Sequence, residues 1–146
     1  MSEQIIAYGG LQERSIDGTT FTAIPQAKGI AIPMTETDYL EVTSLDSSGG
    51  FKEYVKGLKD AGVISLPCGY TAAGYEQQLA DQAVNGAVYY RATLRAQPGQ
   101  SAGDVFTFRG FPTPAVEAND VGSLIGMTVS IRTTGDVTWV RGAVAV

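Results

Sequence analysis

A chain of 146 residues with 44% hydrophobic and 17% charged content can form one globular domain with its own core, and is too apolar to be disordered. A net charge of −5 makes the chain a poor candidate for a DNA-gripping protein, and the lack of any histidine excludes every histidine-based triad, dyad or metal site. The single cysteine, Cys68, excludes an intrachain disulfide, a zinc ribbon and an iron–sulfur cluster built from one chain.

Residues 1–18 mix polar and apolar types without a sustained period and read as an N-terminal arm or extended lead-in. They lack the charged and then apolar regions of a signal peptide. Residues 19–146 read as a single domain. Thr19–Ile24 and Gly29–Met34 are predicted short strands around a turn at Pro25. Asp38–Thr43 alternates, with Leu40 and Val42 on one face and Tyr39, Glu41 and Thr43 on the other.

Ser44–Asp60 has a different texture. It is polar, carries Gly49-Gly50 and holds Lys52, Lys56 and Lys59, yet includes Phe51, Tyr54, Val55 and Leu58. It reads as a long inter-strand loop, a kind of segment that is usually functional. The same apolar residues also fit one face of a short helix.

Alternation resumes at Gly62–Tyr70, with Ile64, Leu66, Cys68 and Tyr70 on one side. The spacing of Tyr75, Leu79 and Ala83 predicts a helix over Tyr75–Val84, with Thr71 as N-cap and Asn85-Gly86 as its left-handed stop. Ala87–Ala96 is a predicted strand with Val88, Tyr90, Ala92 and Leu94 on one face and Tyr89, Arg91, Thr93 and Arg95 on the other. Asp104–Arg109 and Val116–Ala118 follow as separate strands. Met127–Thr133 and Val137–Arg141 are predicted to form a hairpin through Thr134-Gly135-Asp136, with Met127, Val129 and Ile131 inward. The fold class expected is mainly β: a sandwich or barrel with one flanking α-helix and a long inter-strand loop.

Catalytic patterns are sparse. There is no Gly-Lys-Ser/Thr phosphate loop, Gly49-Gly50 lacks the spacing of a dinucleotide fingerprint, and the region of Asp46 lacks the Asp/Asn alternation of a calcium loop. Glu36 with Asp38, and Glu117 with Asp120, are the nearest carboxylate pairs, both beside predicted turns where solvated carboxylates are ordinary. Cys68 reads as a small apolar strand residue. No apolar stretch approaches the roughly 20 residues of a membrane helix. No enzyme activity, cofactor or metal is expected.

One stretch carries a family resemblance. Tyr39-Leu40-Glu41-Val42-Thr43-Ser44-Leu45-Asp46, then Gly49-Gly50-Phe51-Lys52-Glu53, then Gly57-Leu58-Lys59-Asp60-Ala61-Gly62-Val63-Ile64, resembles the signature of major tail tube proteins of long-tailed bacteriophages. The helix Tyr75–Val84, the aromatic strand Val88–Leu94, Phe106–Gly110 and Val129–Arg132 with Gly135 resemble that family's later segments, so the match spans roughly Tyr39–Val140.

The resemblance implies a β-sandwich or barrel with a flanking helix, similar to the type VI secretion tube subunit. It implies hexameric rings in which neighbours continue one another's sheets, stacked around a tape-measure protein and bounded by terminator and tip proteins. DNA would pass through the lumen without specific binding, past a neutral or acidic lining. The subunit would be made in the host cytoplasm and reside in the virion tail, without inserting in a membrane. The loop 44–60 would make the contacts between subunits and rings, through Asp46, Gly49, Gly50, Phe51, Lys52, Glu53, Tyr54, Leu58, Lys59 and Asp60. A tail terminator, a minor tail ring protein or a secretion-type tube are alternatives of the same structural class. A β-sandwich binding module or an unusual hydrolase is the alternative outside it.

Overall fold

The strongest alternating segments pair into one antiparallel sheet. A computed structural model describes residues 9–45, 48–117, 121–122 and 124–144. Its strands are β1 (Leu11–Ser15), β2 (Thr22–Ala23), β3 (Glu36–Glu41), β4 (Tyr54–Asp60), β5 (Val63–Gly69), β6 (Val88–Thr93), β7 (Val105–Glu117) and β8 (Gly126–Val140), with α1 (Ala72–Ala83) between β5 and β6. The main sheet has six strands in the order β2-β1-β6-β7-β8-β5, and β3 with β4 forms a separate two-stranded sheet. The chain is thus mainly β with one helix, as the alternation predicts.

The core lies on one face of the main sheet. Val88 and Tyr90 from β6, Phe108 from β7, Met127, Val129 and Ile131 from β8, and Leu66 and Cys68 from β5 are all buried there. Tyr90 and Phe108 stack with ring centroids 5.6 Å apart. Ile24 and Ala31 close the same cluster from the irregular segment after β2. Gly29–Met34 forms no strand; instead the Ala31 N–H donates to Gln12 Oε1 at 3.1 Å. Burial pushes the Cys68 thiol up, in keeping with its reading as a small core residue.

Local chemistry starts the helix where the sequence places it. Thr71 Oγ1 accepts from the Gly74 N–H at 3.0 Å, and the chain leaves the helix at Val84 before Gly86 turns with φ +134°. The buried stripe, however, is Gly74, Gln78 and Asp81, not the predicted Tyr75, Leu79 and Ala83. Leu79 is 42% exposed, while Tyr75 is partly buried against the core. The cause is Asp81: its carboxylate accepts a bidentate pair from Arg14 on β1, with Nε at 2.7 Å, and that pair sets the rotation of the helix.

Four further expectations are corrected. Leu11–Ser15, read within the arm, is a strand between β2 and β6. The end of the expected loop 44–60 is strand β4, so neither a loop nor a helix describes Tyr54–Asp60. The two segments 104–109 and 116–118 are parts of one strand, β7, of which the latter's Ala118 lies outside the described residues. The predicted hairpin at Thr134-Gly135-Asp136 is a bulge inside the single strand β8, and β8 pairs with β7 along its length.

Prolines and glycine explain the last two. Pro112 and Pro114 look like strand breakers, but β6 begins opposite Gly110, so beyond that point β7 needs a strand ladder only toward β8. Helix α1 packs against β7. Gly135 adopts φ +77°, a conformation that residues other than glycine rarely adopt, so the bulge favours glycine. The β5 edge is covered in a similar way: Pro67 has no N–H, its carbonyl accepts from the Lys28 N–H at 2.9 Å, and Ala27 bridges to Cys68.

Candidate assembly surfaces

The residues of the signature stretch build a hairpin that stands apart from the core. β3 and β4 are antiparallel, with Glu36 opposite Asp60, Leu40 opposite Val55 and Glu41 opposite Tyr54. The ladder continues past the strands: the Val42 N–H donates to the Glu53 carbonyl at 2.8 Å, and the Glu53 N–H to Thr43 Oγ1 at 2.8 Å. A bulge lies between Thr37 and Tyr39, where Gly57 comes close to Asp38: a Cβ on it would sit 3.3 Å from the Asp38 carbonyl oxygen. The turn at Ser48–Gly50 uses positive φ at Gly49 and Gly50, +67° and +74°.

Almost everything apolar on this hairpin faces outward. Leu58 is 84% exposed and Phe51 76%, and Tyr39, Leu40, Val42, Tyr54 and Val55 are exposed as well. Both faces of the two strands therefore present large apolar groups. A lone two-stranded hairpin is marginal in water, and a contiguous apolar surface of this kind marks an interaction site.

The hairpin is tethered at its base. Asp60 Oδ1 accepts from the Gly62 N–H at 3.1 Å and Oδ2 from Arg132 at 3.1 Å. These hold the Asp60 carboxyl below its usual range, chiefly through the Gly62 N–H. Lys59 lies opposite Thr37, and Lys52 and Glu53 are exposed between the turn and β4. The structure thus brings Gly49, Gly50, Phe51, Lys52, Glu53, Tyr54, Leu58, Lys59 and Asp60 into one projecting unit. Asp46 lies outside the described residues.

Two further exposed apolar groups escaped the sequence reading. Tyr70, Leu124 and Ile125 border an open groove with Gln26, Lys28, Gly69 and Thr71. Trp139 and Val140 end β8, with Trp139 opposite Phe106. Alternation could not reveal either, because an exposed apolar residue has the same letter as a buried one.

Glu36 and Asp38 are exposed along β3, Glu117 is exposed at the end of β7, and Asp120 lies outside the described residues. Among the described residues no group of three or more His, Cys, Asp or Glu side chains could hold a metal ion. No helix is long and apolar enough to cross a membrane among them.

No protein-family model and no curated protein sequence matches the chain. Solved structures do. A chain from the tail of an empty gene transfer agent particle, refined with helical and C6 symmetry, has a TM-score of 0.64 at 17% identity, covering 89% of this chain and 94% of that one. A chain from the sheath–tube complex of an extracellular contractile injection system reaches 0.69 at 14% identity, covering 94% and 92%. One from the sheath/tube terminator structure of the same kind of particle reaches 0.70 at 12%, covering 94% and 97%. The chain has the fold of these tail and tube particles, and at the level of fold the resemblance to tail tube proteins is borne out.

Proposed function

We propose that this chain is a structural subunit that assembles with copies of itself into stacked, hexameric rings forming a tail tube. The observation that carries the reading is the β3–β4 hairpin, whose apolar side chains are exposed on a two-stranded sheet too small to be stable alone. A partner that covers Phe51, Tyr54 and Leu58 satisfies it, and an identical subunit above or beside supplies such a partner repeatedly. The C6 symmetry of a tail with the same fold supports a ring of that order. In this reading the hairpin, together with Asp46, makes contacts between rings. A tape-measure protein occupies the growing tube, terminator and tip proteins bound it, and DNA passes through it in the virion.

Electron microscopy of the purified protein tests the proposal. Hollow filaments of uniform diameter are expected as concentration rises or tape-measure protein is added. Particles that stay at monomer mass under both conditions overturn it. The double variant Phe51→Ser with Leu58→Ser should abolish filaments and leave the melting temperature of the subunit nearly unchanged. The terminator likeness favours a second reading, in which the chain closes a tube built by others. Polymer length separates them: a terminator forms one ring, a tube subunit many.

A further inference from the structure

Gln12 of β1 holds down both ends of one segment. Its carbonyl accepts from the Ile24 N–H at 3.0 Å, and its side-chain Oε1 accepts from the Ala31 N–H at 3.1 Å. The middle of the segment is fastened to β5 instead, by the Lys28 N–H to the Pro67 carbonyl at 2.9 Å and by the bridge of Ala27 to Cys68. A cleft of about 380 Å³ lies between this arch and the start of β1, with Gln12, Lys28, Gly9, Gly10 and Gly29 in its lining.

The side chains that this cleft offers for hydrogen bonding are donors. The Ala31 N–H needs an oxygen, so it fixes the Gln12 amide with Oε1 toward Ala31 and leaves Nε2 as the other end. Gln12 is 3% exposed, and its Nε2 is buried without a hydrogen-bond partner. Tying the arch explains the oxygen and not the nitrogen, and a buried amide nitrogen is ordinarily paired. Lys28 brings a positive charge and three further N–H donors, and no carboxylate pairs with it among the described residues. Its charge is felt inward, at the buried Cys68 thiol, where it opposes the larger upward effect of burial. The stem of Arg95 runs beside Gly9 and adds positive charge at the rim. Among the described residues no acidic side chain lines the cleft, and the next charge on the same face of β1, Arg14, is already taken up by Asp81. The glycines put no side chain in the way of an entering group.

We infer that this cleft is a carboxylate-binding site, with Gln12 Nε2 donating to one oxygen and the Lys28 ammonium to the other. A neutral carbonyl would leave the ammonium unanswered. A carboxylate brings one negative charge and two acceptor oxygens to two separate donor groups. The group comes from a small molecule or from an Asp or Glu side chain of an adjoining copy, and the chemistry of capture is the same.

The free subunit, labelled with nitrogen-15, tests this with acetate as the probe and chloride at equal ionic strength as the control. The side-chain NH2 signals of Gln12, assigned through its backbone, should move with acetate to saturation and stay in place with chloride. Lys28→Met, at an exposed side chain, should weaken acetate binding several-fold, and Lys59→Met on the hairpin should leave it unchanged. Gln12→Glu keeps an oxygen for the Ala31 N–H but replaces the free donor by a second oxygen, so acetate binding should be lost. If that variant does not fold, Lys28→Met still decides. Signals that acetate fails to saturate, that chloride moves equally, or that respond to acetate in Lys28→Met as in the wild type overturn the inference. A response to inorganic phosphate as strong as that to acetate overturns the ligand class.

The source of the carboxylate is read in filaments, and this step alone rests on the tube reading. If an adjoining copy supplies it, wild-type filaments exclude acetate and Lys28→Met weakens their assembly. If a small molecule supplies it, filaments bind acetate as subunits do. Failure of filaments to form counts against the tube reading, while the titration of the free subunit still decides the site.

Discussion

Val129 and Leu79 are both apolar residues at positions the pattern assigns inward, yet only one is inside. Val129 is fully buried in the centre of β8, so Val129→Asp places an unpaired charge in the core at a cost of several kcal/mol, against a total stability of about 5–15 kcal/mol. A cooperative thermal transition should be lost by circular dichroism. Leu79 is on the outer side of α1, and Leu79→Asp should shift stability by no more than about 0.5 kcal/mol. Three aspartates add a pH dependence. Asp17 is held low first by the Thr20 and Thr19 N–H groups, Asp60 by Gly62, and Asp104 by the Gly142 N–H. A depressed folded pKa gives stability that is present above the usual carboxylate range, about 4, and lost as pH falls through the folded values. Melting temperature should therefore drop below about pH 4, and less steeply in Asp17→Ala with Asp104→Ala. A profile identical to the wild type refutes this.

At the scale of elements, the question is what fixes α1 on the sheet. Its buried stripe of Gly74, Gln78 and Asp81 gives little apolar adhesion, and the Arg14–Asp81 pair is almost wholly out of water. Asp81→Ala leaves Arg14 unpaired and should cost about 3–5 kcal/mol in denaturant unfolding. Arg14→Met with Asp81→Leu replaces both charges and should restore most of that loss. A double variant as unstable as the single one would show that the pair itself supplies net stability. This pair is also why the rotation of the helix was not legible: Tyr75-Leu79-Ala83 and Gly74-Gln78-Asp81 are both stripes of one helix, and only a distant arginine on β1 chooses between them. Strands buried on one face, such as Ile64-Leu66-Cys68 and Val88-Tyr90-Ala92, were legible because alternation needs no distant partner. Pro112, Pro114 and Gly135 hid the unity of β7 and β8, since a breaker is tolerated at an unpaired edge or a bulge and sequence does not reveal which edges are unpaired.

For the whole molecule, the hairpin was half legible. Phe51 and Leu58 among lysines and glycines signalled apolar groups in search of cover, but the strand character of Tyr54–Asp60 was masked by its polar residues and lack of a buried face. A strand with no buried side shows no alternation to read. If copies of the chain cover this hairpin, amides from Gly49 to Lys59 should exchange quickly in the free subunit and slowly in filaments. Equal exchange in both states, measured by mass spectrometry, places the contact elsewhere. Growth that depends on such a surface also depends on total protein, because each added copy stabilises the fold of the hairpin it covers.

On the proposed tube reading, the blocked sheet edges bear on a different matter, the life of the subunit before assembly. A tube needs many copies, all made before the structure that will hold them. A protein accumulating in that way is exposed to disordered strand-to-strand aggregation. Pro67 removes one donor from the β5 rim while the Gln26–Lys28 segment occupies it, and Pro112 and Pro114 remove two from β7 beside α1. At these two rims side chains are left to make the contacts, and side chains can be selective where a bare ladder is not. Pro67→Thr with Pro114→Thr should therefore turn a concentrated stock turbid and thioflavin-positive on standing, under conditions where the native chain stays clear.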